Sequence, residues 1–117
     1  PDSTAALNAL GYTLADRTGR YEEALELIER ARMAEPGNAA IIDSYGWVLH
    51  RLGRHEEALV ELRRAFVLEK DAEIASHVGS VLWTLGRREE AMQWFEEARG
   101  IDPENRALRR ALEEIGA

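Results

Sequence analysis

A chain of 117 residues with 22 acidic and 15 basic side chains carries a net charge of −7, enough for one domain whose surface repels phosphate backbones, so nucleic acid is set aside as a ligand. Cysteine is absent, which excludes disulfides, thiolate metal sites and a thiol nucleophile and leaves reducing and oxidising compartments equally open. No apolar run approaches the roughly 18 residues of a membrane-spanning helix, and no direct membrane contact is expected from this segment.

Taken in chain order, the elements repeat. Pro1 stands one repeat step ahead of Pro36 and reads as the closing proline of an earlier unit, which makes the chain a C-terminal part of a longer array. The first unit (4–38) has a helix A with Leu7, Leu10 and Leu14 at helical spacing, a stop at Gly19, and a helix B with Ala24, Leu25, Ile28 and Ala31. The second (39–71) repeats it with Ile42, Tyr45 and Leu49, then Gly53, then Ala58, Leu59, Leu62 and Ala65. Ala75, Val78 and Leu82, then Gly86, then Ala91, Met92, Phe95 and Ala98 make the third (72–105). Each stop opens a Gly-Arg-x-Glu-Glu-Ala turn, where glycine suits a left-handed residue and the glutamates suit the positive end of the next helix. Small residues (Gly11, Gly46 and Gly79 on helix A, Ala24, Ala58 and Ala91 on helix B) predict close approach of the two backbones. Residues 106–117 carry one apolar stripe, Leu108, Ala111, Leu112 and Ile115, with Arg109, Arg110, Glu113 and Glu114 outside, and read as a capping helix.

The Leu10-Gly11 pair, the Ala-x3-Ile/Leu/Phe steps and the closing Pro36 and Pro103 resemble the tetratricopeptide repeat (TPR) family over nearly the whole chain. The resemblance implies an all-α fold, a right-handed α-solenoid of three helical hairpins plus the capping helix, acting as a non-catalytic scaffold for a protein or peptide. In such a fold the concave face is lined by helix A, here by Asn8, Ala9, Tyr12, Ala15 and Asp16, then Asp43, Ser44, Trp47, His50 and Arg51, then Glu73, Ser76, His77, Ser80, Trp83 and Thr84. Of these, Asn8, Tyr12, Asp43, Trp47, His50, Arg51, His77 and Trp83 are the expected partner-binding residues, because aromatic and arginine side chains dominate interface energies. Packing of Trp47 and Trp83 between repeats is the competing reading, and Trp94 on helix B is read as packing.

The family's peptide-binding subset grips a terminal carboxylate with Lys, Asn and Arg. The matching places here hold Asn8, Tyr12, Ser44, Glu73 and His77, so a basic or mixed ligand is expected instead. Adjacent glutamates in each turn point about 100° apart and do not converge for acid/base work. His50, His55 and His77 lack metal-ligand spacing, and neither a metal nor a cofactor is expected.

The stretches Asn8–Asp16, Asp43–Leu49 and His77–Trp83 resemble the C-terminal repeats of bacterial outer-membrane TPR lipoproteins, among them the adaptor of a periplasmic carboxyl-terminal processing protease. That resemblance implies a periplasmic, outer-membrane-tethered scaffold presenting the protease or cell-wall hydrolases, with a cytoplasmic setting as the alternative. An open first helix also invites self-association or stacking on further repeats.

Overall fold

The structure, a computed structural model, describes residues 3–117; Pro1, with the role assigned to it above, lies outside them. Helices α1 (Thr4–Thr18), α2 (Tyr21–Ala34), α3 (Ala39–Arg51), α4 (His55–Leu68), α5 (Ala72–Thr84), α6 (Arg88–Ile101) and α7 (Arg106–Ile115) follow one another, with no strand among the described residues. They stack as three hairpins into an α-solenoid 42 × 25 × 23 Å in extent.

The two kinds of helix begin differently. Side-chain oxygens of Ser3, Asn38, Asp71 and Asn105 accept backbone N–H groups in the first turns of α1, α3, α5 and α7, satisfying donors that the helix itself leaves unpaired. No side chain caps α2, α4 or α6. There the arginine of each turn folds onto the second glutamate, Arg20 on Glu23, Arg54 on Glu57 and Arg87 on Glu90, with N···O distances of 2.6–3.0 Å. The recurring glutamates therefore hold the turn arginines as well as facing the helix dipole, and exposure keeps each pair weak. Gly19, Gly53 and Gly86 have φ of 72°, 84° and 82°, the left-handed conformation expected at these stops.

Inside each hairpin the helix A glycine makes room for a large residue of helix B. A Cβ on Gly11 would lie 2.6 Å from Ile28 Cγ1 and 3.1 Å from the Ala24 carbonyl, and one on Gly46 would lie 2.7 Å from Leu62 Cγ and 3.3 Å from the Ala58 carbonyl. At Gly79 it would enter the Phe95 ring. Ile28, Leu62 and Phe95 are consequently sealed, each burial stabilising by about 1.5–3 kcal/mol. One apolar cluster joins α1, α2 and α3 and a larger one runs from α3 to α7, with Tyr45 packed against both under the Arg32 guanidinium, 4.3 Å above its ring.

Two stripe residues are not where their spacing put them. Leu10 is 53% exposed, although its counterpart Val78 is sealed, because this position abuts the hairpin before and α1 is the first described helix. Met92 is 36% exposed where its counterpart Leu59 is buried, in keeping with the placement of α7. Helices α3 and α5 rest mainly on α2 and α4, whereas α7 rests on α5 and barely touches α6. The last helix has swung from the end of the stack toward the concave side.

Replacing Gly46 by Ala forces its methyl into a sealed Leu62. A strain of about 1–3 kcal/mol should outweigh the roughly 1 kcal/mol gained in helix propensity, so urea unfolding of Gly46→Ala should show lower stability. Gly100→Ala in α6, where nothing lies within 4 Å of the added methyl, should instead raise stability by about 0.5 kcal/mol.

Candidate functional site

The concave face is built by α1, α3 and α5, each turning one side chain per helical turn inward. At its centre the Nδ1 of His77 (α5) lies 2.7 Å from the Asp43 carboxylate (α3), and both residues are buried. Trp47 stacks on the His77 ring at 4.1 Å between centroids and 22° between planes, while the Tyr12 hydroxyl stands 3.5 Å from His77 Nε2. On the far side of Trp47, His50 and His55 bring their Nδ1 atoms to 2.8 Å, a contact that needs at least one neutral ring. Arg51 is exposed and donates to the Tyr21 hydroxyl at 2.7 Å, and Arg88 lies 4.6 Å over the Trp83 ring.

Burial and charge set the titrations. Burial works against a charged His77, but the Asp43 carboxylate, through its charge and its hydrogen bond, then Glu73 and Asp16, outweigh it and hold this imidazole above the ordinary histidine range. His50 has no carboxylate partner; burial, then the charges of His55, Arg51 and His77, lower it to about 4. Burial lifts Glu73 above the usual carboxylate range, His77 opposing and Asp43 and Asp71 adding. The Tyr12 phenol is pushed upward by burial and then by Glu73, Asp43 and Asp16.

Several expected groove residues are not available on its surface. Asp43 and His77, taken as partner-binding, are 5% and 3% exposed and spend their polar atoms on each other, since neither charge could be buried alone. Ala15, Ser44 and Ser76 are also buried, the two serines donating to the carbonyls of Ala40 and Ala72 one turn back. Asn8, Tyr12, Trp47, His50 and Trp83 are partly buried; Trp47 stacks on His77 and Trp83 packs against the main cluster, and both keep part of their surface exposed. Trp94 packs edge-on against Phe66 with centroids 5.0 Å apart. Contrary to what the histidine spacing suggests, ligand atoms of Asp43, Glu73 and His77 gather within 4.8 Å of one another. They come from α3 and α5, and His77 Nδ1 is already committed to Asp43, with the Glu73 carboxylate close by.

Most unlike the expectation is the last helix. Arg110 and Glu114, read as outward-facing, border the groove, and Arg110 Nη1 reaches both carboxylate oxygens of Asp16 on α1 at 3.1 and 3.2 Å. Ala107 and Ala111 close over Tyr12, Trp47 and His77, leaving a cavity of only about 20 Å³. Beyond Tyr12 the groove stays open as a cleft of about 250 Å³ whose walls include Asn8, Asp43, Glu69, Asp71 and Glu73. No spacing rule signalled the return of α7; the Ala107–Ala111 pair, small residues one turn apart on its apolar side, was the available hint.

Stacked hairpins with a side-chain-lined concave face define a helical-repeat protein. The chain belongs to the tetratricopeptide repeat family, whose model matches residues 6–112 and whose members are typically non-catalytic interaction modules. Over 79 residues, 68% of this chain and 13% of the relative, it is 52% identical to TPR repeat-containing protein PA4667 of Pseudomonas aeruginosa. Over 70 residues, 60% of this chain and 8% of the relative, it is 36% identical to human Protein O-mannosyl-transferase TMTC1. The chain thus spans a small part of the length of these relatives. Among solved structures it is similar to the first TPR domain of human RPAP3, with a TM-score of 0.82 at 22% identity over 97% of this chain and 89% of that one. It is also similar to the first TPR of Spaghetti (RPAP3) bound to the HSP90 peptide SRMEEVD, with a TM-score of 0.77 at 21% identity over 97% and 94%. At such identities the likeness is one of fold.

Because His77 is raised, its pairing with Asp43 stabilises the fold fully below the unfolded histidine value and loses that contribution as pH rises through the folded one. Asp43→Asn should therefore cost about 1–3 kcal/mol near pH 6 and less near pH 9, read from urea unfolding at both. His50, being lowered, behaves oppositely: its contribution is present above about 6.5 and fades as pH falls toward about 4. An NMR titration should find His77 charged at a pH where His50 is neutral; the reverse order would contradict the geometry.

Proposed function

We propose that this chain is a non-catalytic adaptor that holds a protein or peptide on the concave face of α1, α3 and α5. The observation that carries the reading is one face on which Tyr12, Trp47 and Trp83 present partly exposed rings beside an exposed Arg51 and an acidic open cleft. Aromatic and arginine side chains of this kind supply most of the energy in measured protein interfaces. A relative of the same fold is seen with the acidic peptide SRMEEVD, but the open cleft here is walled by Glu69, Asp71 and Glu73 and repels such a charge. The fitting ligand is basic or mixed. RNA is disfavoured for the same reason, with a net charge of −7.

The non-catalytic part of the reading is supported by the fate of the paired glutamates, since Glu23, Glu57 and Glu90 are each held by a turn arginine. A second reading, an assembly module, is favoured by Leu10, whose 53% exposure leaves an apolar side chain ready to pack against another repeat. In its most specific form the adaptor works in the bacterial periplasm, tethered to the outer membrane through other parts of its protein and presenting a processing protease or cell-wall hydrolases.

Trp47 is a poor probe of this role because its ring stacks on the buried His77. Arg51→Glu is cleaner. It should leave unfolding stability within about 0.5 kcal/mol yet reduce partner capture from bacterial envelope extracts at least tenfold, while Val60→Ser, on the exposed outer side of α4, changes neither. Undiminished capture by Arg51→Glu would count against the groove.

A further inference from the structure

The helix that closes the chain lies where a partner of the groove would lie. In register with the hairpins, α7 would rest on α6 as α3 rests on α2 and α5 on α4; instead it rests on α5. Its Arg110 spans the concave face to Asp16 of α1, a pair 94 residues apart in the chain. The small side chains Ala107 and Ala111 lie against Tyr12, Trp47 and His77, the ring-bearing part of the groove.

The fit is good in shape and incomplete in chemistry. Trp47 Nε1 is buried with no protein acceptor, and Trp47 lines a remaining cavity of about 20 Å³. The Arg110 side chain is 52% exposed, so its ion pair holds α7 only weakly. Leu108 and Ala111 of its ten residues are buried in the main cluster, with Leu112 and Ile115 packed against it, and a helix that short does not persist alone in water. An occupant held by one short apolar stripe and a half-exposed ion pair is replaceable.

We infer that the concave face is a helix-binding groove which α7 occupies in the free protein, and that the partner is an amphipathic helix setting a basic side chain on Asp16 and small residues on Trp47 and His77 in place of α7. This rests on the adaptor reading and adds the form and charge of the ligand. The charge follows from complementarity: Glu69, Asp71 and Glu73 wall the adjoining open cleft, and Asp16, the acidic side chain under α7, is paired with an arginine. The helical form follows from α7 itself, whose alanines one turn apart line the same cavity as Tyr12, Trp47 and His77.

The probe is a fluorescent synthetic peptide of residues 103–117, titrated by anisotropy into the whole chain. Arg110→Glu in the chain should loosen α7 without changing helix content by circular dichroism, and this variant should bind the wild-type peptide at least tenfold more tightly than the wild-type chain does. A chain with Asp16→Lys should prefer the peptide bearing Arg110→Glu over the wild-type peptide, a charge-reversal rescue that general stickiness cannot produce. Equal binding by the wild-type and Arg110→Glu chains, or none by either, overturns the inference. So does a peptide bearing Ala111→Pro that binds as tightly as the wild-type one, because the occupant would then be extended. Concentration-dependent dimers of the Arg110→Glu chain in sedimentation, without peptide binding, would assign the groove to a second copy and overturn the partner reading. If the peptide assays fail while Arg51→Glu still abolishes capture, the adaptor stands and the helical ligand falls.

Discussion

The structure depends on the contact between a glycine of one helix and a bulky residue of the next. Gly11 with Ile28, Gly46 with Leu62 and Gly79 with Phe95 let each large side chain enter the space a Cβ would fill, bringing it against the facing backbone. This sets the separation and angle of the two helices in a hairpin. With that geometry repeated, helix B of one unit presents its stripe to helix A of the next, and all the A helices turn one edge to the same side. A concave face is thus a consequence of packing rather than of any residue on it.

That face carries competing demands. Side chains drawn from three A helices converge, so carboxylates that stand one per helix in the sequence meet in space. The fold answers by sealing one of them, Asp43, against a raised His77, covering that ring with Trp47, and taking Asp16 with an arginine from α7. Each charge placed at depth has an opposite partner, as the cost of burying it alone requires. Asp71 at the cleft is taken up by the Glu73 N–H as the cap of α5, and Glu73, partly desolvated there, is raised instead of paired with a cation.

The outer turns are governed by different forces. Their arginine–glutamate forks are exposed and weak, yet they recur because the Gly-Arg-x-Glu-Glu order places both groups on the same first turn of helix B. Apart from the sealed Asp43–His77 pair, apolar knobs hold the hairpins and the ionic pairs of the turns lie on exposed surface.

Periodicity alone determined the hairpins: glycines at the left-handed stops, alanines sealed at every repeat, and the family to which the chain belongs. These are properties of neighbours along the chain, where a 3.6-residue turn converts spacing directly into a shared face. Leu10 and Met92 follow the same period yet stay exposed, because their burial depends on a helix beyond the hairpin. Tertiary structure decided which groove residues are available and where α7 goes. The Asp43–His77 pair joins residues 34 apart, and Arg110 with Asp16 joins residues 94 apart. Such meetings depend on how successive hairpins are angled and on the charge each brings, and no local spacing encodes either.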